Sequence, residues 1–230
     1  MPTKLPSLKE MVEAGVHFGH KKQRSNPRFK KYIFCLRDGV HIINLEKTEE
    51  LLEEALEFLT QVAKSGKTIL FVGTKKQVKK AVEEAAKKTG MPYVTERWLG
   101  GMLTNFETVR KSIKHLNNLE AKKTSEEYKG FTKHEKNKID EEIEKLHKNF
   151  DGIIKMEKQP DALFIVDAEE EYNAVNEARK MKIPVAAICD TDTNPDKVNF
   201  PIPANDDAVK SVELMVNLIG DAVLDAKNSK

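Results

Sequence analysis

Hydrophobic positions along this chain fall into two alternating patterns. Thr68-Ile-Leu-Phe-Val72, Ala162-Leu-Phe-Ile-Val166 and Val185-Ala-Ala-Ile-Cys189 are continuous apolar runs, the mark of strands buried on both faces. Val40-His-Ile-Ile-Asn-Leu45 and the shorter Ile33-Phe34 and Tyr93-Val94 also read as strands. Between them, Leu51, Leu52, Ala55, Leu56, Leu59 and Val62 make one stripe of a helix over Glu46 to Lys64. Further helices are expected over Lys75 to Thr89, closed by Gly90 and Pro92, over Glu170 to Met181, and over Asp206 to about Ala226. Val185–Cys189 reads as the last strand. Alternating strand and helix predicts an α/β fold: a three-layer sandwich around a mostly parallel sheet of about five strands.

Residues 107–158 interrupt that alternation. Phe106, Val109, Ile113, Leu116 and Leu119 recur at steps of three and four, as do Ile139, Ile143, Leu146 and Phe150, in a background of Lys, Glu, Asn and Asp. Narrow seams of this kind predict an inserted antiparallel coiled-coil hairpin, joined near Thr124 to Thr132, that projects from the sheet and is dispensable for folding. The division expected is a basic arm over 1–38, a discontinuous α/β domain over 39–106 and 159–226, the hairpin insertion over 107–158 and a tail over 227–230.

At 230 residues, with 39% hydrophobic and 33% charged residues, the chain is large enough for a sizeable core beneath a heavily solvated surface. No apolar run reaches the roughly 20 residues that span a bilayer, and the N-terminus lacks a secretory or transit pattern, so a cytoplasmic protein is expected. Cys35 and Cys189 form no metal-type pair and read as free thiols. The net charge of +2 conceals segregation. Residues 1–38 carry nine Lys/Arg against three Asp/Glu, residues 67–106 eight against three, and residues 159–230 seven against fourteen. Phosphate polymers attract such concentrated positive stretches, although a solvated lysine surface has the same composition. Phe18, Phe29, Tyr32 and Phe34 lie among the arm's cations, a mixture suited to wedging into folded RNA. The hairpin, with thirteen basic and eleven acidic residues, is nearly neutral and suits a protein or solvent surface.

Candidate chemistry is sparse. Gly73-Thr-Lys-Lys76 follows a buried strand, and its N–H groups and Lys75 are placed to meet a phosphate. It lacks the second glycine of a Walker loop and the three spaced glycines of a dinucleotide fingerprint. His17, His20, Asp190, Asp192, Asp206 and Asp207 contain the donor types of a metal or hydrolytic site. Asp206 equally fits a helix N-terminus, and Asp190 and Asp192 fit turns. No nucleophile–base–orienter set or nucleophile elbow is present.

Several uncommon strings carry a family resemblance. They are Val12-Glu-Ala-Gly-Val-His-Phe-Gly-His20 with Asn26-Pro-Arg28, Gly39-Val-His-Ile-Ile-Asn-Leu-Glu-Lys-Thr48, Phe71-Val-Gly-Thr-Lys-Lys-Gln77 and Tyr93-Val-Thr-Glu-Arg-Trp-Leu-Gly-Gly-Met-Leu-Thr-Asn-Phe106. A last block runs from Asp161-Ala-Leu-Phe-Ile-Val-Asp167 to Asn205-Asp-Asp-Ala208. Together, from about Leu8 to about Asp221, the chain closely resembles the bacterial-type small-subunit ribosomal protein two family. It departs from the family at Ser25, where a tryptophan is usual, and at Asp192-Thr193, where an asparagine and a small residue are usual.

The resemblance implies a non-enzymatic constituent of the small ribosomal subunit. It implies binding to small-subunit rRNA between head and body and a part in docking the large S-one protein, with no cofactor, small-molecule substrate or membrane. Lys21, Lys22, Arg24, Arg28, Lys30, Lys31 and Arg37 would meet phosphates, with Lys75, Lys76 and Arg97 approaching from the sheet's carboxyl edge. His17, His20, Asn26 and Asn105 would hydrogen-bond RNA or fix turns, and Asp190, Asp192 and Asp206 are the candidates for a structural cation. Thr104 or Asn105 is expected to cap the helix beginning near Glu107, and Trp98 to act as a packing anchor. A nucleotide-dependent α/β enzyme and an adaptor working through the hairpin alone remain the alternatives.

Overall fold

Runs of apolar residues with no polar alternation must be covered on both sides, and the computed structural model shows them so covered. It describes residues 5–125, 128 and 130–229. In chain order the elements are α1 (Leu8–Glu13), β1 (Phe18–Lys21), β2 (Ile33–Arg37), β3 (Val40–Ile43), α2 (Leu45–Lys64), β4 (Ile69–Val72), α3 (Lys79–Thr89) and β5 (Tyr93–Val94). There follow α4 (Phe106–Lys123), α5 (Lys133–Phe150), β6 (Ala162–Val166), α6 (Tyr172–Met181), β7 (Val185–Cys189), β8 (Phe200–Pro203) and α7 (Val209–Asn228). Five strands form a parallel sheet in the order β5-β4-β6-β7-β8.

Successive side chains of these strands enter two separate cores. Ile69, Phe71, Ala162, Phe164, Ala186 and Ile188 pack with α2, α3 and α7. Leu70, Val72, Leu163, Ile165, Val185, Ala187 and Cys189 pack with α6, Trp98 and the foot of α4. This is the three-layer α/β sandwich that the sequence predicts. Phe71 and Phe164 meet edge to face, their ring centroids 5.5 Å apart, beneath the first helical layer.

One expected strand lies elsewhere, and one of the five parallel strands was not expected. Val40–Ile43 lies outside the parallel sheet, and β1 and β2 flank it in a separate three-stranded antiparallel sheet ordered β1-β3-β2. The β2–β3 turn is Asp38-Gly39, both with positive φ (50° and 78°), the combination a two-residue hairpin requires. The fifth parallel strand is instead β8, Phe-Pro-Ile-Pro, beyond the one read as last. Its prolines lack ladder donors, and it occupies a sheet edge, where that loss is tolerated. The closing helix starts at Val209, so Asp206 is not a helical residue but lies fully buried ahead of it.

The insertion is a helical hairpin, but it is not separate from the core. Phe106, Val109 and Ile113 of α4, with Phe150, Ile153 and Met156 on the return, are buried in the second core. Gly152 lies so close to the Tyr93 backbone that a Cβ there would collide with it. Farther out, the two helices are bridged by Lys123–Asp140 at 2.7 Å, His115–Glu142 at 3.0 Å and His147–Glu120 at 2.9 Å. Thr132 caps α5 reciprocally with Glu135, while residues 126, 127 and 129 of the expected joint lie outside the described residues.

The hairpin root therefore belongs to the fold and its outer half does not. Replacing residues 118–144 by a short Gly-Ser linker should leave the thermal unfolding transition cooperative, with its midpoint within a few degrees of wild type. Removing 107–158 deletes six buried apolar side chains, Val109, Ile113, Leu116, Phe150, Ile153 and Met156, and should lower the midpoint by roughly 10 °C or more. Equal midpoints in a calorimetric comparison would show that the root contributes nothing to the core.

Candidate nucleic-acid interface

The basic arm is anchored before it is exposed. Met11 and Val16 are buried in the first core, and Phe29 and Tyr32 in the second. Around them the backbone is tied to the carboxyl ends of β7 and β8. The N–H of His20 donates to Thr191 Oγ1 (2.8 Å), that of Asn26 to the Thr191 carbonyl (2.8 Å) and that of Asn205 to the Val16 carbonyl (3.0 Å). Gly19 is required by this approach, since a Cβ would collide with the Thr191 side chain. Asn26 also caps the following 3-10 turn, Pro27–Tyr32, by accepting the Arg28 N–H at 3.0 Å. Asn26 thus fixes a turn, as one of the two roles expected of it.

Charge completes the docking. His20, on β1, lies 3.2 Å from Asp190, 3.4 Å from Asp207 and 3.7 Å from Asp192. Its contact with the Asp190 carboxylate outweighs burial and raises its pKa to about 9. Arg24 Nε sits 3.1 Å from Asp192, and Arg28 and Lys31 share Asp196 at 3.5 and 3.4 Å. The positive arm and the negative C-terminal stretch neutralise one another in space, so three of the expected phosphate contacts already have protein partners. Lys21, Lys22 and Lys30 are exposed and have no ion-pair partner among the described residues, and Arg37 reaches only Asp38, at 4.0 Å. His17 is half buried; its ring lies 4.1 Å from that of Phe18, and burial lowers its pKa.

Lys75 has a different role from the one expected. Its ammonium lies 2.6 Å from Asp167, 2.8 Å from Asp206 and 2.8 Å from Asp207, with the side chain 16% exposed, so it faces carboxylates and not phosphates. The same loop's Thr74 N–H donates to the buried Glu171 carboxylate at 2.7 Å. Asp206 is pushed up to about 8, first by burial and then by the Asp167 and Asp190 charges. Crowding adds to burial here, since five carboxylates share Lys75, His20 and Arg24.

The three aspartates expected to hold a cation face these side chains: Asp206 meets Lys75, Asp190 meets His20, and Asp192 meets His20 and Arg24. Among the described residues no group of three or more His, Cys, Asp or Glu is disposed to hold a metal ion. Lys76, Arg97 and Asn105 are exposed, and among the described residues no hydrogen bond or ion pair joins them to the arm. Asn105 stands at the N-terminus of α4 without a side-chain cap bond, contrary to expectation, and instead accepts the Thr108 hydroxyl at 2.8 Å.

Sequence reasoning missed Glu177. From α6 its carboxylate accepts the Trp98 indole N–H (3.0 Å), the backbone N–H groups of Gly101 (2.8 Å), Leu103 (3.0 Å) and Thr104 (3.0 Å), and the Thr104 hydroxyl (3.0 Å). Burial pushes its pKa up, but the donors from Thr104, Trp98, Gly101 and Leu103 outweigh it and hold the carboxyl below its ordinary value. Thr104, considered as a helix cap, is committed to this carboxylate. Trp98 is buried as a packing anchor, with its one polar atom satisfied. The only sequence signal was a glutamate on the inner stripe of α6, beside Ala174 and Ala178.

The structure is thus a doubly covered parallel sheet whose carboxyl edge is filled by its own charges, flanked by a small antiparallel sheet that leaves Lys21 and Arg37 exposed. Comparison with known proteins gives the family. The chain belongs to the ribosomal protein S2 family, whose model matches residues 11–226. Similar proteins include the small ribosomal subunit protein uS2 of Dictyoglomus thermophilum, 49% identical over 96% of this chain and 90% of the relative. The uS2 proteins of Chlorobaculum tepidum and Borreliella burgdorferi are 49% and 46% identical, over 99% and 96% of this chain and 91% and 85% of theirs.

Two outcomes test the site's energetics. Glu177→Gln should destabilise the protein by about 2–4 kcal/mol, because an amide presents donors to a cluster of buried donors; denaturant unfolding with no change would remove Glu177 from its organising role. His20 has a folded pKa near 9 and an ordinary value of 6.5. Its contribution is therefore complete below pH 6.5 and lost as pH rises through 9. Relative to His20→Gln, wild type should lose on the order of 2 kcal/mol across that window, after allowance for solvent screening. Parallel stability curves for the two proteins would contradict this.

Proposed function

We propose that this chain is a structural, non-enzymatic constituent of the small ribosomal subunit in the cytoplasm. It binds small-subunit rRNA between head and body through the outer side of its N-terminal sheet, and helps dock the large S-one protein. One observation supports the RNA reading: Lys21, Lys22 and Lys30 are exposed with no ion-pair partner among the described residues, and Arg37 reaches only Asp38, at 4.0 Å, on a segment where Arg24, Arg28 and Lys31 are internally paired. Cations left free beside a neutralised seam are available for phosphate. The place between head and body and the S-one contact are supported by the family's resemblance, and the nearly neutral outer hairpin suits protein contact.

The nucleotide-enzyme alternative loses its best loop. The Thr74 N–H serves Glu171 and the Lys75 ammonium serves three aspartates, so the groups that would cradle a phosphate are occupied. Gly73 is pressed against Val78 and Val82, which closes the space a phosphate would enter.

Filter binding to protein-free small-subunit rRNA tests the reading. Changing Lys21, Lys22, Lys30 and Arg37 together to Ala should weaken binding and flatten its logarithmic salt dependence by about three, since each phosphate contact supplies roughly 0.7–0.9. An unchanged slope in a folded variant would overturn it.

A further inference from the structure

The arm's aromatics divide sharply. Phe29 is fully buried and Tyr32 is 8% exposed, whereas Phe18 is 49% and Phe34 72% exposed. Phe34 is the most exposed of the large hydrophobic residues, and its position is built into the sheet. Ile33 pairs with Ile43 and Cys35 with Ile42, so two adjacent residues of β3 face β2 residues that are two apart. Phe34 is the extra residue of that bulge. A bulge interrupts the ladder and re-aims the side chain it carries. The strand is held rigid on one side by the Asp38-Gly39 turn and on the other by Phe29 and Tyr32 in the core. Its far side is a sheet edge.

The surroundings are cationic. Lys21 and Arg37 both stand opposite Val40, on the two flanks of β3, and Lys30 lies in the turn leading to β2. An exposed aromatic on a sheet edge, in the same small sheet as Lys21 and Arg37 and four residues after Lys30, has the composition of a stacking platform for nucleic-acid bases. A paired helix would offer only its phosphates and groove edges to such a ring, because its bases are already stacked.

We infer that Phe34 stacks on an unpaired base of the bound RNA, so that this sheet recognises a loop, bulge or splayed strand and not a continuous duplex. The inference rests on the RNA reading of the arm and adds the class of RNA to it. Phosphate contacts by Lys21, Lys30 and Arg37 would hold the backbone on either side of the stacked nucleotide.

The test uses the full chain with three probes: protein-free small-subunit rRNA, oligouridylate, and a perfect RNA duplex of the same length. Phe34→Ala should weaken binding to rRNA and to oligouridylate by roughly 5- to 100-fold, the worth of one base–aromatic stack, while leaving the salt slope and duplex binding unchanged. Phe34→Trp should restore both. Since Phe34 is exposed, each variant is expected to keep the wild-type unfolding midpoint. If wild type binds rRNA and Phe34→Ala binds it equally well, the stacking inference falls and the RNA reading stands. It also falls if duplex binding weakens in parallel, or if Phe34→Ala binds rRNA normally but no longer enters subunits, which would mean that a protein covers the ring. If wild type binds no rRNA, the RNA reading itself is overturned and this inference with it.

Discussion

The arrangement at the carboxyl edge depends on an electrostatic constraint: five carboxylates on the ends of β6, β7 and β8 cannot be brought together without cations between them. Lys75 supplies one from the loop after β4, and His20 and Arg24 supply two from the N-terminal segment. Such a cluster adds little net stability, since desolvating the charges offsets most of their attraction, but removing one partner strands the others and costs about 3–5 kcal/mol. Its value is specificity. In the observed placement the arm meets Asp190, Asp192 and Asp207 together and sets Gly19 against Thr191. The antiparallel sheet is thereby fixed to the parallel one although, among the described residues, no strand pairing joins them.

A second carboxylate performs the corresponding task on the other side of the molecule. Glu177 gathers donors from Trp98 to Thr104 and so fixes the segment that launches α4. Gln159, just beyond the hairpin's return, donates its side-chain N–H to the Leu103 carbonyl at 2.7 Å, so departure and return are tied to the same loop. The direction of the hairpin is therefore set by hydrogen bonds of the α/β core, and the hydrophobic seam between α4 and α5 has only to keep the two helices together. A long lever with a rigid root can present its outer surface at a defined place without contributing that surface to folding.

How much of this was legible in the sequence depended on the kind of signal. Strands β4, β6 and β7 were visible because burial on both faces leaves continuous apolar runs, and α2 because its stripe from Leu51 to Val62 repeats over about three turns. β8 was hidden by Pro201 and Pro203, which argue against a strand everywhere except at an edge. β1 was hidden because Phe-Gly-His-Lys has neither an apolar run nor clean alternation; it is held by its partner β3 and by the Thr191 anchor. The candidate site was half legible. Segregated charge along the chain was read as an open cationic surface, but charges far apart in sequence pair in the fold, and composition cannot report that pairing. The same holds for the aromatics, since only packing separates Phe29 and Tyr32 from Phe18 and Phe34.

Pairing Arg24, Arg28 and Lys31 internally has a consequence for the proposed role. A polyelectrolyte surface with every lysine free binds any RNA and loses its affinity steeply with salt. Here Arg24, Arg28 and Lys31 are held by Asp192 and Asp196, which orders the segment and lowers its field, leaving a few cations on the same segment as the exposed rings of Phe18 and Phe34. Affinity from so few phosphate contacts is modest, and discrimination then comes from whether those contacts and the ring can be satisfied together. Tight retention in an assembly would arise by linking this surface to others on the same rigid body, the hairpin's outer faces among them, since each additional contact becomes intramolecular once the first has formed. The fold supplies that linkage: the charge cluster fixes the arm to the sheet and Glu177 fixes the root of the hairpin to the same sheet, so both surfaces are carried in one geometry.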